Sequence, residues 1–176
     1  MSSALFTQIF LILLAGTLLT RLWLARRHVR HVLGHRRQVP APFRGKILLK
    51  AHRKAADYTA AKTRFAMLAG TIDALLLLGW TLGGGLEFLD QGWRAAQFSE
   101  LVTGTLFLLS VFLIGGLLDL PATLYQTFGI EQRFGFNRST PALFVADLLK
   151  QALLLLVLGA PLALVALWLM QSAGSL

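Results

Sequence analysis

The sequence lacks cysteine altogether and has few charged residues. Of its 176 residues none is cysteine, and only 14% are Asp, Glu, Lys or Arg. The absence of cysteine excludes disulfides, zinc fingers, iron–sulfur ligation and thiol nucleophiles. About a quarter of a typical soluble domain is charged, and 56% of this sequence is hydrophobic. These proportions exclude an ordinary water-soluble domain.

Four hydrophobic runs are long enough to cross a bilayer as helices. About 20 apolar residues in a helix cross the roughly 30 Å of hydrocarbon. We therefore predict an all-α fold, a polytopic transmembrane helical bundle whose four spans lie at about residues 5–24, 65–82, 101–120 and 148–170. Such a chain is a multi-pass integral membrane protein, of the plasma membrane or, in a bacterium, of the inner membrane.

Positive charge is concentrated between the first two spans. The chain has 17 Lys and Arg against 8 Asp and Glu, and residues 25–64 hold most of the excess with a single acid, Asp57. The positive-inside rule predicts that residues 25–64 and 121–147 are cytoplasmic loops and that the N-terminus is outside. The expected partners are the lipid bilayer and anionic headgroups at the first loop. Nucleic acid is not expected, because no recognition fold or aromatic stacking platform accompanies the charge.

Three histidines and one aspartate are candidates for a functional site. His28, His31 and His35 follow the first span at helical spacing, which suits a metal, but the arginines between them oppose a bound cation. We predict no metal site in this chain. Asp73 lies about 13 Å into the second span, where a carboxylate must face protein or water. It either lines a hydrated cavity or hydrogen bonds a polar neighbour such as Ser110.

Three local signals concern helix geometry. Gly79 and Gly83 have the spacing that lets membrane helices approach closely. Pro161 is expected to kink the fourth span, because proline removes one backbone hydrogen bond and crowds a preceding carbonyl. Ser139 or Thr140, directly before a proline, is expected to cap the next helix.

The stretch between the third and fourth spans resembles the signature of the CAAX prenyl protease type 1 family, which are integral-membrane zinc metalloendopeptidases. The family pattern is approximately Pro-x-x-x-Tyr-x-Thr-Phe-x-Ile-Glu-x-x-x-Gly-Phe-Asn-x-x-Thr. Residues 52–65 are also similar to the segment that leads into the second span of bacterial members. Ten positions match the pattern in register, namely Pro121, Tyr125, Thr127, Phe128, Ile130, Glu131, Gly135, Phe136, Asn137 and Thr140.

The resemblance implies that residues 1–176 are the N-terminal membrane domain of a zinc-dependent membrane endopeptidase. Relatives continue to a His-Glu-x-x-His helix and a later glutamate, which hold zinc and supply the general base. This sequence has no such motif. On this interpretation the chain forms part of the chamber wall and is inactive alone. It carries no catalytic residue, and zinc is expected only in the missing C-terminal protease domain, a partner if encoded separately.

Residues of the matched pattern are then expected to give structural or substrate-side support. Glu131 and Asn137 would satisfy backbone groups or pair with Arg133 or Arg138, while the aromatic side chains pack on neighbouring helices. The alternative is a stand-alone, non-catalytic membrane scaffold that keeps the family's fold to bind a partner or lipid. A downstream reading frame with a His-Glu-x-x-His motif would distinguish the two.

Overall fold

The computed structural model describes residues 2–174, and these are almost entirely helical. A short 3-10 turn, Ala41–Phe43, lies between the first two helices. The helices are α1 (Ser3–Gly34), α2 (Leu49–Thr81), α3 (Gly85–Ala95), α4 (Glu100–Leu124), α5 (Pro141–Leu154) and α6 (Ala160–Gly174). Two π-helical turns continue them without a break, Tyr125–Glu131 after α4 and Leu155–Gly159 between α5 and α6.

Four helical stretches are long and apolar enough to cross a membrane, which confirms the all-helical prediction with four spans. Each extends beyond its apolar run, and in the first two the added turns are rich in Arg and Lys, which are good helix formers. Much of residues 25–64 and 121–147 is therefore helical rather than loop. The four stretches are Ser3–Gly34, Leu49–Thr81, Glu100–Glu131 and Pro141–Ala173.

The chain divides into two compact units. The first consists of Met1–Leu78 and Leu124–Asn137, and the second of Gly79–Thr123 and Arg138–Leu176. Within the described residues each unit buries only a few side chains, and large apolar side chains are exposed along the helices, as on surfaces that face lipid. The buried residues are Val29, Ala56, Ala60 and Ile130 in the first unit and Thr103, Thr105 and Leu109 in the second.

Three consecutive glycines, residues 83–85, lie at the turn between α2 and α3. Gly84 has φ +79°, in the left-handed region that favours glycine. A Cβ added to Gly83 would lie 2.6 Å from the Gly79 carbonyl oxygen, whereas one added to Gly79 would meet no heavy atom of residues 2–174 within 4 Å. Within residues 2–174 the spacing of this pair therefore serves a tight turn, and helix packing at the pair stays a prediction.

One proline marks the start of the last span, and a second follows an irregular turn within it. Thr140 caps α5: its hydroxyl accepts a hydrogen bond from the Leu143 N–H at 3.2 Å, and Pro141 follows in the first turn. This confirms the predicted cap. The π-helical turn Leu155–Gly159 lies directly before Pro161 and contains the residue four positions earlier, whose carbonyl the proline ring crowds.

Candidate functional site

The candidate site is the motif segment, residues 125–137, together with the part of α2 that it contacts. The segment ends in a helix cap at Gly135, which has φ +66°. The Phe136 N–H donates to the Glu131 carbonyl at 2.9 Å, and the Gly135 N–H donates to the Gln132 carbonyl at 3.0 Å. These two bonds form a Schellman motif, in which glycine is favoured because a side chain is strained at positive φ. The cap fixes where the following phenylalanine lies.

Aromatic side chains hold the motif segment against α2. The ring centroid of Tyr58 lies 4.7 Å from that of Phe136 and 5.6 Å from that of Phe134, the second pair meeting edge to face. About two helical turns further along α2, Phe65 lies 4.9 Å from Tyr125 between ring centroids. Each such pair contributes about 0.5–1.5 kcal/mol beyond its buried area. The segment is therefore docked at both its ends.

Lysines of α2 complete this contact. The Lys62 Nζ lies 3.8 Å from the Glu131 Oε1 and donates to the Tyr58 hydroxyl at 3.4 Å. The Lys54 Nζ lies 5.2 Å from the ring centroid of Phe136. Of the two roles predicted for Glu131, its carbonyl satisfies backbone groups, since it accepts the Phe136 and Asn137 N–H groups. Its carboxylate pairs with Lys62, on a helix far away in the sequence, rather than with a nearby arginine. Local spacing carries no signal for such a partner.

The remaining matched residues lie on either side of this contact. Pro121 is inside α4, and the Thr127 carbonyl accepts the Gln132 N–H, five residues on, as in a π-helix. The Asn137 N–H donates to the Glu131 carbonyl at 3.2 Å, so this asparagine belongs to the helix cap. Thr140 caps α5 in the second unit. The sequence pattern therefore specifies helix ends as much as it specifies a surface.

Histidines that follow the first span contact backbone carbonyl oxygens. The His35 Nδ1 is 2.9 Å from the His31 carbonyl oxygen, and the His52 Nε2 is 3.1 Å from the His35 carbonyl oxygen. Between residues 2 and 174, no group of three His, Cys, Asp or Glu is placed to hold a metal ion. The residues described here do not fit a catalytic zinc.

Asp73 lines an open cavity of about 420 Å³ between α1 and α2. Arg21 of α1 lines the same cavity, and within the described residues neither charge has a hydrogen bond or an ion pair. Ser110, the neighbour considered for Asp73, accepts a hydrogen bond from the Trp93 Nε1 at 3.0 Å. The position of Asp73 in the lining of an open cavity supports the cavity interpretation. Arg21 was not predicted as a candidate residue, because it lies within the first apolar run.

Cysteine labelling tests whether water reaches this cavity. We expect the Asp73→Cys variant to react with a small water-soluble thiol reagent about tenfold faster than Leu75→Cys, because the reactive thiolate forms only where water is present. Leu75 is a matched control at similar depth on α2, 62% exposed and outside the cavity lining. The natural chain has no cysteine, so labelling has no background. Equal protection of both positions would contradict a hydrated cavity.

Curated relatives match most of this chain. The probable CAAX prenyl protease 1 of Schizosaccharomyces pombe is 30% identical over 146 residues, which are 74% of this chain and 30% of that protein. The CAAX prenyl protease 1 homolog of Caenorhabditis elegans is 30% identical over 168 residues, 94% of this chain and 37% of that protein. This chain thus spans about a third of the length of the relatives it matches.

A solved structure and a family model agree with the match to these relatives. The crystal structure of S. mikatae Ste24p superposes with a TM-score of 0.73 over 84% of this chain and 35% of that chain, at 22% identity, which shows the same fold. The family model described as CAAX prenyl protease N-terminal, five membrane helices, matches residues 28–176. Three of the four candidate spans lie wholly within the match. This chain is therefore a multi-pass integral membrane protein that belongs to the CAAX prenyl protease family, a family of membrane metalloproteases, as its N-terminal domain.

Proposed function

We propose that this domain forms part of the chamber wall of a zinc-dependent membrane endopeptidase and that another part of the protein supplies the zinc site. The observation that carries the proposal is the docking of the motif segment on α2 through the Tyr58, Phe136 and Lys62–Glu131 contacts. Side chains that pack on a neighbouring helix and cap helix ends hold a segment in place, which is what a structural wall requires. The relatives are about three times as long as this chain, which leaves room for a catalytic part.

The motif residues act in this proposal by position rather than by chemistry. Gly135 ends the helix, Phe136 packs on Tyr58, and Glu131 is held by Lys62. A partly exposed pair of this kind contributes about 0–1 kcal/mol, so its main effect is to fix the register of the segment on α2. A displaced segment would misplace whatever part of the protein packs on it.

The cavity at Asp73 and Arg21 fits the same role. Charged side chains are costly in hydrocarbon and are found where a membrane protein faces water or protein. Two opposite charges that line one open cavity with no partner in the described chain therefore mark a hydrated or protein-covered side of the α1–α2 pair. We assign that side to the interior of the proposed wall.

Zinc content and peptide cleavage test the proposal. The codons beyond Leu176 are read, and residues 1–176 and the longer polypeptide are each purified and measured for bound zinc. We expect less than about 0.1 zinc per chain and no cleavage for residues 1–176, and about one zinc with cleavage for a longer polypeptide carrying His-Glu-x-x-His. Replacement of His28, His31 and His35 by alanine is the control and should change neither result.

Two outcomes would overturn the proposal. Stoichiometric zinc in residues 1–176, lost in the triple histidine variant, would place a metal site in this domain. If no His-Glu-x-x-His motif follows in the reading frame and a protein of 176 residues accumulates stably in membranes, the stand-alone scaffold is the better assignment.

A further inference from the structure

Two arginines line one open cavity beside the motif segment. The cavity has a volume of about 600 Å³ and is bounded by Arg64 and Phe65 of α2 and by Tyr125, Arg133 and Phe134 of the motif segment. The guanidinium carbon of Arg133 lies 5.9 Å from the ring centroid of Phe134. All these residues belong to the first unit. Aromatic walls and two cations thus converge on one space, of a size typical for sites that hold small organic molecules.

The cavity has an unbalanced positive charge. No Asp or Glu is among its described lining residues, and neither arginine has an ion pair there. The one acid of the motif segment, Glu131, is not in the lining, and its carboxylate is engaged by Lys62. Two guanidinium groups that are left without a carboxylate favour an anionic ligand. Arginine suits phosphate in particular, because its planar fork donates two parallel hydrogen bonds to two oxygens of the group.

We expect the cavity to lie near a membrane interface, because the apolar parts of two helices end at its lining residues. Arg64 is the last basic residue before the apolar part of α2, which begins at Phe65, and Tyr125 directly follows the apolar α4. Tyrosine is enriched where a transmembrane segment meets the headgroups, and basic pockets between membrane helices bind lipid headgroups. A phospholipid places its phosphate at this depth, with its glycerol and upper acyl carbons against the aromatic walls.

We propose that the cavity binds the phosphodiester group of an anionic phospholipid through Arg64 and Arg133. Both guanidinium groups hydrogen bond the phosphate oxygens, and Phe65, Tyr125 and Phe134 cover the apolar part of the headgroup region. A zwitterionic lipid is disfavoured because it brings its own cation to a space that already holds two. This site is more specific than general attraction of the basic loop to the membrane surface, and it is independent of any zinc site.

Native mass spectrometry of the purified full chain tests the proposal. The detergent-solubilised protein is titrated with phosphatidylglycerol and with phosphatidylcholine of the same acyl chains, and inorganic phosphate is added as a competitor. We expect phosphatidylglycerol to bind at least about tenfold more tightly than phosphatidylcholine, and the Arg64→Gln/Arg133→Gln double variant to lose that preference. The Arg37→Gln/Arg53→Gln double variant has the same net charge and changes two exposed arginines outside the lining, so it should keep the preference.

Three results would overturn the proposal. Equal affinity for the two lipids would remove the selectivity for an anion, and an equal loss in the control pair would show that only net charge matters. Displacement of phosphatidylglycerol by inorganic phosphate at a similar concentration would identify a site for free phosphate. Should the double variant not fold, as judged by its helical circular dichroism, Arg64→Gln and Arg133→Gln are measured singly, and each is expected to weaken binding several-fold.

Discussion

Replacing Ile130 by alanine is expected to lower the free energy of unfolding of the first unit by about 2–4 kcal/mol. Ile130 is 6% exposed and is the one large buried side chain of the motif segment. Its truncation removes three carbons from a buried position that borders the cavity lined by Arg64 and Arg133. The loss is therefore a lost transfer free energy plus the cost of a cavity. We expect the largest effect of any single truncation in this segment.

Leu124→Ala is the matched control for this change. Leu124 belongs to the same unit and is 42% exposed, so its truncation leaves no cavity and should cost less than about 1 kcal/mol. Unfolding of the purified protein in mixed micelles of increasing dodecyl sulfate, followed by circular dichroism, measures both variants. Equal destabilisation would mean that the motif segment is not packed on α2 as described.

The second large effect is expected for Gly83→Ala. The added Cβ would lie 2.6 Å from the Gly79 carbonyl oxygen and 2.9 Å from the Gly79 Cα. Both are backbone atoms of α2 and cannot rotate away, so the turn into α3 must open. Overpacking of this kind costs about 1–3 kcal/mol, and an opened turn also displaces the left-handed Gly84. We expect a fall of the melting temperature by several degrees, with altered hydrogen exchange at residues 82–86.

Two alanine variants at nearby glycines provide the comparison. An added Cβ at Gly79 or at Gly92 would meet no heavy atom of residues 2–174 within 4 Å. Both glycines lie inside helices, where alanine is favoured by about 1 kcal/mol. Gly79→Ala and Gly92→Ala should therefore be neutral or stabilising in the same melting experiment. An unchanged melting temperature for Gly83→Ala would show that the turn accommodates a Cβ and would contradict this prediction.

The sequence alone was sufficient for the parts of the fold that depend on local physics. Apolar length gave the four spans, and threonine before proline gave the cap of α5. The extent of the helices was not predictable from hydropathy, because hydropathy marks where lipid contact ends rather than where backbone hydrogen bonding ends. Thus α2 begins at Leu49, well before its apolar run, and these added turns carry Tyr58 and Lys62.

The candidate site was predicted as a stretch of sequence but not as a set of contacts. The pattern around Glu131 and Gly135 identified the right segment, since ten residues matched in register. Its partners were not visible, because Lys62 lies some seventy positions away in sequence, and no periodicity relates the two. Arg21 was not predicted as a site residue either, because one charge in a long apolar run does not change the prediction of a span.

The division of the first unit between two parts of the chain has a consequence for how the protein is assembled. Met1–Leu78 is synthesised first, but its remaining piece, Leu124–Asn137, follows only after 45 residues that belong to the second unit. Within the first piece, Arg36, directly after α1, pairs with Asp57 of α2 at 2.6 Å. Tyr58 and Lys62 of this piece gain their contacts with the motif segment only after that segment is synthesised. A fragment that ends before Asn137 lacks part of this unit, so a test of the first unit needs at least residues 1–137.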